Sequence, residues 1–221
     1  MNGLIRKDLL VIKNQLLNVK YMGIFLGGSI FSFLLLKSDF YLIMIFLLFI
    51  LLNSLSKLFS EDQYSGWLRF IRVTSSLSTK EVVLARMISA VIFALMINVI
   101  FSLLLTAGVL LSGNRILSDT IGIAMATLII SLMYVLLATP FQYLFLENGV
   151  FIMLIVVGII GGLLVKFTSA VAFVQHLFMS GSYPMITLVG VLSLLVVFMV
   201  SFLFSFLVLR YRSSINERNS K

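Results

Sequence analysis

Charged residues are scarce in this sequence. Of its 221 residues, 11% are Asp, Glu, Lys or Arg, and 61% are apolar. A soluble domain carries about 25% charged and roughly 45–50% apolar residues. A soluble fold of this length could not bury so much apolar surface, because a chain of this size leaves much of its surface facing water. We therefore expect lipid to be the solvent for much of the molecule, with residues 1–221 forming a single transmembrane domain.

Several reactive or ligating groups are also missing. Cysteine is absent, which excludes disulfides, thiolate nucleophiles and cysteine-based metal sites. A zinc peptidase motif needs two histidines around a glutamate, and His176 is the single histidine. A Ser–His protease is formally open through His176, but no Gly-x-Ser-x-Gly elbow accompanies it. There is no Walker A loop, so neither a metal nor a nucleotide cofactor is expected in this chain.

Acidic residues are absent from the middle of every apolar segment. All eight lie in loops, at helix ends or in tails: Asp8, Asp39, Glu61, Asp62, Glu81, Asp119, Glu147 and Glu217. Ion- or proton-driven carriers usually keep charged groups at membrane depth, where they act as relays or counter-ions. A secondary transporter is therefore disfavoured.

Long apolar runs are what the sequence has instead. A spanning helix needs about 20 mostly apolar residues, and shorter runs are helped by flanking lysines that reach the interface. Six segments meet this description: 21–36, 40–55, 87–111, 121–146, 150–165 and 185–209. Pro140 is expected to kink the fourth segment, because it removes a backbone donor. The sequence thus predicts an all-α integral membrane protein with six transmembrane helices.

The distribution of Lys and Arg predicts the orientation. With six spans, thirteen of the sixteen basic residues fall on the side that carries both termini, and only Lys37, Arg115 and Lys166 fall on the other. The positive-inside rule then places both termini in the cytoplasm of a multi-pass protein of the cell membrane. The same rule accounts for the net charge of +8, so a nucleic-acid partner is not expected.

The first twenty residues form a second kind of helix. Ile5, Leu9 and Ile12 recur at the helical period, and the other face carries basic side chains. A basic amphipathic helix of this kind lies in the headgroup plane and contacts membrane lipids. The residues expected at the membrane surface are Arg6, Lys7, Lys13 and Lys20. The apolar run 9–12 is too short for a signal peptide, so we expect the first span to be an uncleaved anchor.

Residues 57–86 form the longest polar stretch. Ser60 is expected to cap a helix, with Gln63 three residues later, and Ser78 with Glu81 repeats the capping pattern before the third span. Between these two starts, aromatic and aliphatic residues alternate with arginines. We interpret the stretch as an ordered cytoplasmic element, with an interfacial helix on lipid as the alternative. A second non-spanning segment, 166–184, is expected to lie at the outer face.

Residues 59–88 resemble the ABC-2 type permeases. The resemblance extends to a compact six-helix group that includes the permeases of the phenol-soluble modulin exporters. The matching residues are Glu61-Asp62, Gly66-Trp67 and Ser78-Thr79-Lys80-Glu81-Val82-Val83. This sequence departs from the group's pattern at Ser76, where proline is usual, and at Thr79, where arginine is common.

The resemblance implies a function and its partners. Residues of about 61–77 would form a coupling helix that docks on a separate ATP-binding cassette ATPase, which would bind the ATP and Mg²⁺. The candidate docking residues are Glu61, Asp62, Gly66, Trp67, Arg69, Phe70 and Arg72. The N-terminal helix would be a connecting helix, and a second permease, identical or sibling, would complete the transport path. The chain itself would not be an enzyme.

The scarcity of charge in the spans suits an exporter of amphipathic or hydrophobic cargo, such as peptide toxins or lipid-like molecules. The rival interpretation is a membrane protein that transports nothing, such as an immunity or assembly protein that sequesters a partner. The stretch 57–86 separates the two interpretations, because such a module needs no element shaped to meet an ATPase.

Overall fold

A computed structural model describes residues 2–16, 19–36, 40–64, 77–112, 117–167 and 183–218. Every regular element within these ranges is helical, as the sequence predicts. In chain order these elements are α1 (Asn2–Leu16), α2 (Val19–Leu36), α3 (Phe40–Asn53), α4 (Ser56–Tyr64), α5 (Thr79–Ser112), α6 (Leu117–Phe145), a 3₁₀ turn (Leu146–Asn148), α7 (Gly149–Phe167) and α8 (Tyr183–Arg218).

Long apolar helices make up most of the molecule. Among the described residues, four stretches are long and apolar enough to cross a membrane: Phe40–Ser60, Thr79–Leu111, Thr120–Leu163 and Thr187–Tyr211. Tyr21–Leu36 is a shorter apolar helix. Many large apolar side chains on these helices are exposed, Leu111 for 76% of its surface. Lipid can cover such surfaces and water cannot, so the protein is embedded in a membrane.

The stretch Thr120–Leu163 is not one straight helix. Leu146 has a φ of 53°, in the left-handed region that breaks a right-handed helix. A Cβ on Gly149 would lie 2.5 Å from the carbonyl oxygen of Phe141. In a straight helix these two residues would be about 12 Å apart along the axis. The chain therefore turns back at Leu146–Asn148, and α7 packs against α6.

Helix α5 lies at the centre of the bundle and packs against α1, α3, α6 and α8. Its buried side chains include Val83, Met87, Phe101 and Leu105, which recur at spacings of about one or more helical turns. The amide of Asn98 joins α5 to α6, because its Nδ2 donates a hydrogen bond to Ser131 Oγ at 2.6 Å. Hydrogen bonds of this kind between apolar helices hold them together where the hydrophobic effect cannot.

One predicted helix start is wrong. Ser60 was expected to cap a helix, but α4 begins at Ser56, after a turn at Ser54 and Leu55. The Ser60 hydroxyl lies within the helix and donates to the carbonyl oxygen of Lys57 at 3.0 Å. Leu58, Phe59 and Ser60 are all buried, so tertiary packing extends the helix back before the position that the capping pattern had marked as its start.

Candidate functional site

Arg86 is a deeply buried cation at one end of the bundle. Its side chain is 1% exposed and projects from the second turn of α5. The Nη1 atom lies 3.0 Å from Oδ1 of Asp8 on α1, and Nη2 donates to Oδ2 of Asp62 on α4. The guanidinium also lies over the ring of Phe59, 5.0 Å from its centroid. One side chain thus connects three helices.

Lys7 adds a second cation to the same group. Its Nζ donates to Oδ1 of Asp62 and lies 3.7 Å from Oδ1 of Asp8. The Lys7 side chain is one-quarter exposed, so it forms the outer edge of the group. We refer to Lys7, Asp8, Asp62 and Arg86 together as the ionic cluster. It contains two cations and two carboxylates, so its formal charges sum to zero.

Burial affects the pKa of Asp8. Removal of its carboxyl from water raises the pKa of Asp8 above the ordinary value of 3.8, although Arg86 and Lys7 lower it. Desolvation therefore outweighs the attraction of the two cations at this position. Charges buried in this way are costly unless each is paired, and losing one partner leaves the others uncompensated. We therefore expect the loss of any single member of the ionic cluster to leave an uncompensated charge on the others.

Aromatic packing extends the site from α4 towards α6. The Phe59 ring meets the Tyr143 ring edge-on, with centroids 4.9 Å apart. Helix α4 also contacts the 3₁₀ turn that follows α6. The end of α6 is therefore fixed to the same helix that carries Asp62.

The ends of several helices meet at this site. The start of α5 lies close to the end of α8, since Lys80 Nζ is 5.8 Å from the centroid of the Phe206 ring. Together with the contacts above, this places α1, α4, the start of α5 and the ends of α6 and α8 at one end of the bundle. The described chain stops at Tyr64, the end of α4, and resumes at residue 77 just before α5, and both points lie at this end of the bundle.

The return into α5 is capped as the sequence predicts. The backbone N–H of Ser78 donates to Glu81 Oε2 at 2.8 Å, and the backbone N–H of Glu81 donates to Ser78 Oγ at 3.3 Å. This reciprocal pair is a capping box, which satisfies donors that the first turn of a helix leaves free. The cap fixes where α5 begins, and so places Arg86 two turns inside the helix.

Two of the seven predicted docking residues lie in the described part of the chain. Asp62 is 2% exposed, and its carboxylate is directed inward to Lys7 and Arg86. Glu61 belongs to α4, but its side chain lies outside the described residues. The other five also lie outside the described residues: Gly66, Trp67, Arg69, Phe70 and Arg72.

The four predicted membrane-surface residues are placed differently from one another. Arg6 and Lys13 are exposed on α1, on the face opposite its buried residues Leu4, Asp8 and Ile12. Lys7 belongs to the ionic cluster. Lys20 lies in the first turn of α2, and its side chain is outside the described residues.

Sequence reasoning missed the roles of Asp8 and Arg86. A signal for Asp8 was present: it lies three residues after Ile5 and four before Ile12, on the face that the apolar residues predict to be buried. A signal for Arg86 was present as well. Counted from the Ser78 cap, it shares one helical face with Val82 and Ser89, and all three are buried. Both residues were counted as loop charges because their neighbours in sequence are polar.

The side chains of the site join helices to one another. Within the described ranges, no group of three or more His, Cys, Asp or Glu side chains is placed to hold a metal ion. Each charged group of the ionic cluster already has an oppositely charged partner. The arrangement links α1, α4 and α5 through ion pairs between their side chains.

Comparison with known proteins identifies a family. A family model described as "ABC-2 family transporter protein" matches residues 3–209 of the chain. No curated protein and no solved structure shows a significant match. The family match covers every described helix from α1 to the C-terminal half of α8.

Proposed function

Because the chain belongs to the ABC-2 transporter family, we propose that it is the permease subunit of an ATP-driven exporter. A separate ATP-binding cassette ATPase would bind ATP and Mg²⁺ and supply the energy. The chain would provide the membrane path and the surface on which the ATPase docks. The scarcity of charge in the apolar helices supports an amphipathic or hydrophobic cargo, such as a peptide or a lipid-like molecule.

We propose six membrane crossings with both termini in the cytoplasm. The turn at Leu146–Asn148 supports counting Thr120–Leu163 as two crossings, since 44 residues of straight helix would extend about 66 Å, roughly twice the hydrocarbon thickness. Tyr21–Leu36 would cross with help from flanking lysines. The contact of Lys80 with Phe206 and the ionic cluster support placing both chain ends on one side.

The observation that carries the docking proposal is the ionic cluster. The segment 65–76 is attached at α4, where Asp62 is held by Lys7 and Arg86. A docking element on a loose base would absorb motion, whereas one fixed to α1 and α5 can transmit it to the membrane helices. In this proposal Asp62 holds the base of the coupling helix, and Trp67, Phe70, Arg69 and Arg72 would contact the ATPase. Large aromatic and arginine side chains are the types that dominate binding energy at interfaces.

Helix α1 would be the connecting helix at the cytoplasmic headgroups. Its exposed Arg6 and Lys13 support contact with anionic lipids, while its opposite face is packed against α5. A second permease, either another copy or a sibling chain, would complete the path.

The docking proposal is tested by co-expression with the cognate ATPase. Trp67→Ala combined with Arg72→Glu is expected to abolish co-purification of the ATPase and with it ATP-dependent export, while expression and membrane insertion persist. A charge reversal in the C-tail, Arg218→Glu, is the matched control and is expected to leave the complex intact. Retention of the ATPase by the double variant would show that docking lies elsewhere.

The same preparation separates the rival functions. An immunity or assembly protein would protect cells or bind its partner without any ATPase. The double variant would then function like the unchanged protein. A secondary transporter would move cargo in vesicles that contain this chain alone under an ion gradient. Saturable ATP hydrolysis by the isolated chain would contradict the assignment of catalysis to a partner.

A further inference from the structure

A groove of about 450 Å³ lies between α5 and α6, away from the ionic cluster. Most of its lining is apolar, and a few polar side chains are placed along it. On α5 these are Asn98, Ser102 and Thr106, which recur every four residues on one face. On α6 the polar lining residue is Thr120.

The two helices are joined by a hydrogen bond near one end of the groove, and the groove is open at its side. Asn98 on α5 and Ser131 on α6 are equally far in sequence from the connection between the two helices. The hydrogen bond between their side chains joins the helices at that level. Apolar side chains line the open side, and Val99, Leu103 and Ile121 are each more than half exposed there. In a membrane-embedded protein, a side opening of this composition faces hydrocarbon.

Thr120 lies at the other end of the groove, close to the α5–α6 connection. It is 3% exposed, and its hydroxyl has no hydrogen-bond partner among the described residues. The hydroxyl of Thr106, by contrast, donates to the carbonyl oxygen of Ser102 at 2.8 Å. A buried hydroxyl without a partner is unfavourable, so a ligand that accepts its hydrogen bond would be stabilised there.

We propose that this groove binds one acyl chain of a membrane phospholipid. The chain would lie along the apolar walls, and its ester carbonyl would accept a hydrogen bond from Thr120, which a small rotation of the side chain would expose. The volume falls within the range of about 300–1,000 Å³ that is typical of small-molecule sites. The proposal depends on membrane embedding and is independent of transport.

The test uses the full-length chain without any ATPase, in nanodiscs of phosphatidylglycerol that carries a diazirine on one acyl chain. After illumination, mass spectrometry is expected to locate labelled peptides in 95–106 and 120–128, in excess over the exposed face of α8. Thr120→Val keeps the shape but removes the hydroxyl, and is expected to lower labelling of the groove about 3- to 10-fold, the effect of one lost hydrogen bond.

A substitution that fills the groove provides the second part of the test. Ala124 lines the groove, so Ala124→Phe is expected to abolish the excess labelling, whereas Ile130→Phe, at an exposed position of α6 outside the groove, is expected to retain it. If Ala124→Phe lowers the melting temperature, Thr120→Val decides the question. Labelling equal to that of α8, or unchanged in Thr120→Val, would overturn the proposal. A second copy in the groove would instead give disulfide-linked dimers of Val99→Cys, with the excess lipid labelling lost.

Discussion

Arg86 contacts both buried carboxylates of the ionic cluster, and this makes it the residue whose loss should matter most. Arg86→Met replaces the arginine with an apolar side chain of similar length. It leaves the carboxylates of Asp8 and Asp62 buried with Lys7 as their only cation within the ionic cluster. Removing one partner from a buried charge group costs about 3–5 kcal/mol. We expect a large fall in the melting temperature of the purified protein, measured by fluorescence-detected size exclusion after heating.

A second change should recover much of this loss. In Arg86→Met with Asp8→Asn, the remaining pair of Lys7 and Asp62 is again balanced. Since burial already raises the pKa of Asp8, neutralising this carboxyl removes a desolvation cost as well as an attraction. Arg6→Gln, on the exposed face of the same helix, is the control and should leave the melting temperature unchanged. A double variant no more stable than Arg86→Met alone would show that Arg86 acts by packing against Phe59 rather than by charge.

The pairing of charges within the ionic cluster could not be predicted from the sequence residue by residue. The basic and acidic residues could be counted and assigned to a side of the membrane, but their pairing depends on three helices that are far apart in sequence. Asp62 was predicted as a docking residue from its neighbours in the motif, and its buried contacts became visible only when α1 and α5 were placed beside it. Pairing across such distances is a property of the tertiary structure.

At the scale of elements, the apolar runs predicted where helices lie better than where they end. The predicted third span, 87–111, lies within α5, Thr79–Ser112, and the predicted sixth, 185–209, lies within α8, Tyr183–Arg218. Hydropathy marks the part of a helix that needs lipid, whereas hydrogen bonding and capping decide its ends. The Ser78 cap was therefore a useful signal, whereas the Ser60 pattern was overridden by the packing that buries Leu58, Phe59 and Ser60 within α4. Helix α6 continues through Pro140, which the sequence predicted as the site of a kink.

The reversal between α6 and α7 depends on one glycine. A Cβ at Gly149 would lie 2.5 Å from Phe141 O and 2.6 Å from Gln142 N, and these backbone atoms cannot move aside without opening the turn. Gly149→Ala is therefore expected to destabilise the protein by about 1–3 kcal/mol, the usual cost of overpacking. The measurement is the melting temperature in detergent, together with trypsin sensitivity of the turn.

Gly158 provides the matched control in the same helix. An added Cβ there meets nothing within 4 Å, so Gly158→Ala should be neutral or should stabilise α7 by up to about 1 kcal/mol through better helix propensity. Equal effects of the two substitutions would mean that α7 does not pack against Phe141 as closely as the structure places it.

For the molecule as a whole, the number of crossings can be measured directly because the chain has no native cysteine. Single cysteines can therefore be introduced without background and labelled from outside with a membrane-impermeant maleimide. With six crossings, Ser38→Cys and Ser180→Cys should be labelled in intact cells. Ser76→Cys, Asn148→Cys and Ser220→Cys should be labelled only after the membrane is opened.

Asn148 is the decisive position, since it tests whether Thr120–Leu163 crosses once or twice. If the turn at Leu146–Asn148 lies at the cytoplasmic face, Asn148→Cys shares the protection of Ser76→Cys, because α4 packs against that turn and also leads into the segment 65–76. Labelling of Asn148→Cys from outside would place the turn at Leu146–Asn148 and α4 on opposite sides of the membrane, although they are in contact in the structure. It would contradict both the six-crossing topology and the position proposed for the docking surface. Protection of Asn148 with labelling of Ser180 would place the ionic cluster, both termini and the segment 65–76 at the one face that an ATPase can reach.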